Sequence, residues 1–274
     1  MKAAILQMTS GIDPAANAAT LTRAVQTAAE RGAAMLFTPE MSGLLDRDRA
    51  RAAKSIAREE DDRVLAVVRD AAARSGVWVH LGSLALRDEH DRLVNRGFVI
   101  DGAGAIRARY DKLHLFDVDL PSGESWRESS AYAAGDRAIV VDTPLGALGM
   151  SICYDLRFPD LYRALSDAGA TILSVPAAFT RPTGAAHWHI LLRARAIECA
   201  CFVIAAAQTG KHADGRETFG HSLAVDPWGE VLGDMDDGIG VGFVKLDPAK
   251  ILDVRQRIPV ISHRRTIPAV TVAR

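Results

Sequence analysis

The stretch Gly149-Met-Ser-Ile-Cys-Tyr-Asp-Leu-Arg-Phe-Pro-Asp-Leu161 constrains the fold most. An apolar run stops at Cys153, the chain turns sharply, and a helix is expected from Pro159. Proline suits a first helical position because the N–H it lacks has no partner there. A strand that feeds a helix through a tight turn is the building step of an α/β protein. The same turn exposes one side chain and leaves backbone N–H groups close by, which a nucleophile and an oxyanion both need. Taken alone, the stretch equally describes a small buried thiol closing a core strand.

The rest of the chain repeats the step. Residues 3–8 read as a strand, Asp13-Pro14 opens a helix that Gly32 closes, and residues 33–38 form a buried strand delivering Pro39-Glu40. Residues 46–60 are charged and Ala-rich, a loop with a surface helix. Val64, Leu65, Val67, Val68, Ala71 and Ala72 make the stripe of an amphipathic helix stopped by Gly76. A strand over 77–84 follows, with His80 as a core or edge histidine. Gly102-Ala-Gly104 joins a hairpin of 93–101 and 105–110, ending at Asp111-Lys112. Residues 117–136 lack apolar periodicity and read as a long loop carrying Glu124 and Glu128; loops of that length are usually functional. A hairpin of 139–142 and 148–153, a helix from Pro159, a strand at 171–175, a loop over 176–186, a helix over 187–199 and a strand over 201–207 come next. After a polar loop at 210–217, strands are expected near 222–225, 231 and 241–246, then a short helix at 249–257. Hairpins among the crossovers call for mixed sheets. No linker or solenoid repeat interrupts the chain, so residues 1–274 read as one α/β domain.

The 274 residues are 49% hydrophobic and 24% charged, enough for a sizeable core. Lys and Arg number 33 against 34 Asp and Glu, so no charge excess argues for nucleic acid or a membrane surface. No apolar run reaches the ~20 residues of a membrane span, and the N-terminal run breaks at Gln7, too short for a secretory signal. The three cysteines, Cys153, Cys199 and Cys201, suggest no disulfide framework; the expectation is a cytoplasmic protein. His187 and His189 lie two apart with His212 and His221 distant, which gives no zinc spacing. No glycine loop of the dinucleotide or P-loop kind occurs. Arg193 and Arg195 with Glu198 read as a solvated helix face.

Three chemistry-bearing residues stand where strands stop: Glu40, Lys112 and Cys153. A free thiol is mostly protonated at neutral pH and needs a base, which Glu40 could supply. Lys112 could hold an oxyanion and lower the local pKa of the thiol.

Pro39-Glu40, Tyr110-Asp-Lys112-Leu-His-Leu and Ile152-Cys153-Tyr-Asp-Leu-Arg157-Phe-Pro, in this order, resemble the nitrilase superfamily of carbon–nitrogen hydrolases over nearly the whole chain. The resemblance implies a four-layer α-β-β-α sandwich with mixed sheets and a homodimer or larger homo-oligomer. It implies a Glu40–Lys112–Cys153 triad, a thioacyl-enzyme and a small-molecule amide substrate, with ammonia leaving and with neither a metal nor an organic cofactor. The Tyr154 N–H is implied as an oxyanion donor. A second carboxylate is expected at Glu128, whose Trp126-Arg-Glu-Ser129 setting fits better than that of Glu124. Arg157 is implied as a carboxylate anchor, with Phe179 and Thr183 in the pocket; from their surroundings alone these are an ion-paired arginine and two loop residues. Ala186-His-Trp188, Gly220-His-Ser222 and Asp226-Pro-Trp-Gly229 resemble the Nit branch, which holds amidases for deaminated glutathione and ω-amidases for keto analogues of glutamine. The loops at 205–212 and 259–265 look closer to the former. A nitrilase, a carbamoyl-amino-acid hydrolase and a binding protein that kept the fold are the alternatives. One position departs: His189 stands where the branch has Glu, a change of charge expected near the pocket mouth.

Overall fold

The computed structural model describes residues 1–119, 123 and 125–273. β1 (Lys2–Gln7) leads through α1 (Pro14–Glu30) to β2 (Met35–Phe37). The short α2 (Arg49–Ala52) and then α3 (Arg63–Ser75) precede β3 (Trp78–Arg87), β4 (Leu93–Ile100) and β5 (Ile106–Asp111). β6 (Asp117–Asp119) and β7 (Ser125–Arg127) make a small ribbon. β8 (Val140–Thr143), β9 (Gly146–Met150), α4 (Pro159–Asp167), β10 (Ile172–Ser174), α5 (Arg181–Cys199) and β11 (Phe202–Ala205) follow. A second ribbon, β12 (Thr209–Lys211) and β13 (Glu217–Phe219), comes before β14 (Leu223–Val225), β15 (Val231–Asp234), β16 (Gly240–Lys245) and α6 (Ala249–Arg257).

The strands form two six-stranded mixed sheets, ordered β16-β1-β2-β3-β4-β5 and β15-β14-β11-β10-β9-β8. In each, two parallel pairings sit inside antiparallel ones. Strand alternation explains the layering. Ala4, Leu6 and Leu36 pack under α1 and α3 with Leu21, Val25, Leu65 and Val68. Their neighbours Ala3, Ile5, Met35 and Phe37 face the other way, into the core shared with the second sheet. The outer face of that sheet is closed by Leu161 and Leu165 of α4 and Trp188 and Leu192 of α5. The result is the α-β-β-α sandwich. Helix ends follow local chemistry: the Asp62 carboxylate accepts from Leu65 N at 2.7 Å, and Gly76 ends α3 at φ +66°.

Several boundaries differ from expectation. The loop at 117–136 holds the β6–β7 ribbon and a 3₁₀ turn over Glu128–Ser130, and the loop at 210–217 lies within the β12–β13 ribbon. The strand before Cys153 ends at Met150, and Cys153 opens a 3₁₀ turn running to Arg157. Helix α5 begins at Arg181, so Thr183 is helical. Arg195 is not on a solvated face: it is buried and donates to the Leu156 carbonyl at 2.8 Å.

Candidate active site

Glu40 lies in the turn after β2, Lys112 directly after β5, Glu128 after β7, and Cys153 in the turn after β9. The packing of the two sheets brings them together. Lys112 Nζ donates to Glu40 Oε1 at 2.9 Å and to both oxygens of Glu128, at 3.1 and 2.9 Å. Asn95 Nδ2, from β4, donates to Glu40 at 2.9 Å and to Glu128 at 3.3 Å. Glu128 also accepts from Phe116 N at 2.7 Å, and Glu40 Oε2 accepts from Ala178 N at 2.9 Å. Ala178 follows β10, so this last bond crosses from one sheet to the other.

The backbone is strained where the chemistry sits. Cys153 holds φ +50° and Met41, next to Glu40, holds φ +54°. Non-glycine residues in the left-handed region cost about 1–2 kcal/mol each, and the surrounding bonds sustain them. Cys153 N donates to Pro176 O at 2.9 Å, and Met41 N to Ser83 Oγ at 2.9 Å. Among the described residues, no acceptor within the chain takes the Tyr154 N–H, which lies at the start of the 3₁₀ turn.

Asp155 ties the two halves. Its buried carboxylate accepts from Tyr110 OH at 2.6 Å, Ile152 N at 2.8 Å and His114 N at 3.0 Å. Tyr110 and His114 flank Lys112, and Ile152 precedes Cys153, so one carboxylate sets the spacing of the two turns. Gly82 is the other tie. An added Cβ there would lie 2.1 Å from Thr38 O and 2.6 Å from Pro176 Cβ, so only glycine lets the Glu40 turn and the Pro176 segment close in.

Burial pushes the Cys153 thiol well above its ordinary value, the adjoining Glu40 charge adds to this, and Lys112 opposes it without prevailing. Lys112 does lower the thiol's pKa locally, as expected, but burial and the Glu40 charge outweigh it. Burial works against the Lys112 ammonium, but Glu128 and Glu40 outweigh it and hold the charge firmly. Ionising the thiol outright would put a third negative charge beside two carboxylates and one ammonium. Transfer to the nearby Glu40 carboxylate adds none.

These groups floor a cavity of about 490 Å³ lined by Glu40, Lys112, Glu128, Cys153, Tyr154, Phe179 and Thr183 among others. Arg157 is not among its lining residues. Its guanidinium lies over the rings of Phe179 and Tyr154, at 5.4 and 5.9 Å, and 3.3 Å from His187 Nδ1. The cations on the wall are Arg47, Arg49, Arg127 and Arg216; Arg47 and Arg216 both lie over the Trp126 ring, at 5.1 and 5.2 Å. Glu124 falls outside the described residues. His189 is not at the mouth but paired with Asp234 at 2.8 Å. Cys199 and Cys201 are buried and free, as expected. Sequence reasoning missed Asn95, Asp155 and the arginines of the wall. Asp155 carried a signal, being two residues past Cys153, whereas Asn95 sits in an ordinary strand and carried none.

Fold and cluster together define a hydrolase of carbon–nitrogen bonds. The chain matches the carbon–nitrogen hydrolase family over residues 2–256 and belongs to it. It is 41% identical over 267 residues to a deaminated glutathione amidase of Yersinia enterocolitica, covering 96% of this chain and 93% of that one. The crystal structure of the Caenorhabditis elegans NitFhit protein superimposes with a TM-score of 0.89 at 40% identity, covering 96% of this chain and 65% of the other. The amidase of Nesterenkonia sp. AN1, in a glutamate-to-glutamine mutant carrying acrylamide added at its active-site cysteine, gives a TM-score of 0.79 at 27% identity, over 94% of this chain and 98% of that chain.

Proposed function

We propose that this hydrolase is a cysteine-dependent amidase for small carboxylate-bearing amides of the deaminated glutathione kind, working through a thioacyl-enzyme. The observation that carries this reading is the buried cluster in which Glu40 and the Lys112 ammonium, paired at 2.9 Å, share the cavity floor with the Cys153 thiol. The thiol proton passes to Glu40 as sulfur bonds to the amide carbon. The oxyanion lies between the Lys112 ammonium and the Tyr154 N–H. Glu40 returns the proton to the nitrogen as the C–N bond breaks and the amine leaves. Water then gives a proton to Glu40 and attacks the thioester, and the sulfur leaves, recovering that proton. Glu128 holds Lys112 in place. Ammonia is the leaving group of a primary amide; deaminated glutathione, a secondary amide, releases cysteinylglycine instead. Arg47 and Arg216, not Arg157, stand on the wall where a substrate carboxylate can be gripped.

A homo-oligomer is supported by exposed Ile190 and Ile197 on one face of α5, beside exposed Trp228. Three free thiols support a reducing compartment, and among the described residues no helix is long and apolar enough to cross a membrane. The family match over 2–256 supports one hydrolase domain.

The test is a panel of deaminated glutathione, 2-oxoglutaramate, a nitrile and an N-carbamoyl amino acid. It reads both ammonia and amine release, with acid-quenched mass spectra. The expected result is an acyl adduct on Cys153 that Cys153→Ala abolishes, and the highest kcat/KM on deaminated glutathione. An unmodified chain with no product on any substrate would overturn the reading.

A further inference from the structure

We propose that His189, His221 and Asp234 form a binding site for a divalent transition-metal ion of the zinc class. None of the three lines the cavity. They come from α5, the turn after β13 and the end of β15, and their donor atoms all lie within 4.8 Å of one another. His189 Nε2 is 2.8 Å from Asp234 Oδ2, and His221 Nδ1 is 3.0 Å from Oδ1. Two imidazoles and a carboxylate are the ligand set of a borderline-soft divalent ion.

The ligands are held before any ion arrives. His221 stands at φ +55°, fixed by its N–H on Asp236 O at 2.7 Å and by its carbonyl, which accepts from Trp188 Nε1 at 2.8 Å. Phe219 stacks on the His221 ring with centroids 4.4 Å apart and meets His189 edge-on at 6.1 Å. Asp236 N donates to Asp234 Oδ1 at 2.9 Å. Such outer contacts aim the ring nitrogens and the carboxylate at one point. Ligand side chains between 23% and 36% exposed leave a path in and a coordination position for water.

In the metal-free form the carboxylate accepts an N–H from each ring. Binding moves each proton to the far nitrogen of its own ring, so both imidazoles stay neutral. Tetrahedral donors about 2.0–2.1 Å from an ion stand roughly 3.4 Å apart, so the two N···O separations of 2.8 and 3.0 Å open by a few tenths of an ångström on binding. The bound ion would join α5 to the β14–β15 hairpin.

The probes are Zn²⁺ in calorimetry and Co²⁺ in visible spectroscopy, on the chelator-treated full chain. The expected result is one equivalent of Zn²⁺, a Tm raised by the ion, and cobalt bands without a thiolate charge-transfer band. His189→Gln keeps an N–H for Asp234 and preserves the fold, and His221→Asn tolerates the positive φ. Each, with Asp234→Asn, should weaken binding by roughly tenfold or more. No binding, equal affinity in all three variants, or a thiolate band placing the ion on a cysteine would overturn the proposal.

Discussion

In the mechanism proposed above, Glu40 accepts the thiol proton as the sulfur attacks. The Glu40 charge is one of the causes that raise the thiol, so removing it has opposite effects on two measurements. In Glu40→Gln the midpoint of thiolate ultraviolet absorbance should move down, while kcat/KM falls by roughly 10²-fold or more. A midpoint that rises, or turnover that survives, would contradict the assignment. Asn95 offers a subtler test. It donates to both carboxylates, and hydrogen bonds to charged groups are worth about 1.5–3 kcal/mol. Asn95→Ala should lower kcat/KM roughly 10- to 100-fold, mainly in kcat, as steady-state kinetics can show. Glu40, Lys112 and Cys153 were legible in the sequence because each follows a strand closely, where side chains reach a cavity. Asn95 was not, because an amide inside β4 has no local mark that distinguishes a site-facing residue from a solvent-facing one.

Between elements, the Asp155 carboxylate and the bare Cα of Gly82 decide how closely two turns approach. Asp155→Ala strands buried donors from Tyr110, Ile152 and His114, so unfolding in denaturant should show a loss of roughly 3 kcal/mol or more. Gly82→Ala should cost at least as much, because its Cβ would meet backbone oxygens that cannot swing away. A Tm within a degree or two of the parent for either variant would refute the latch. The periodic helices and long strands, even α6, could be read from apolar spacing and from Asp, Pro and Gly at their ends. The two ribbons could not. Strands of three residues in polar segments carry no periodicity, and they form because the sheets hold their ends together. The inward turn of Arg195 was hidden for a related reason, since its acceptor, Leu156 O, is distant in sequence.

Across the whole molecule, two buried histidines contribute to the response to acid. His80 of β3 lies between the sheets, 3.3 Å from Ser174 Oγ of β10, and burial pulls its pKa down to about 3. The unfolded chain binds a proton there below about pH 6.5, while the folded chain refuses it until about pH 3. Stability therefore falls as pH drops through that window, by up to about 1.4 kcal/mol per pH unit. His212, lowered chiefly by burial, acts in the same direction. His80→Gln should flatten the slope of unfolding free energy between these limits; an unchanged slope would assign the acid response elsewhere. The division of labour between the sheets has a consequence of its own. Glu40 and Lys112 ride on one sheet and Cys153 on the other, each sheet with its own complete ladder. A shear of one sheet across the other, smaller than the ~3.3 Å rise of one strand residue, would part Glu40 from Cys153 while every ladder bond survived. Catalysis is thus a vernier for the alignment of two slabs, and in rising denaturant it should fade before circular dichroism registers any loss of strand.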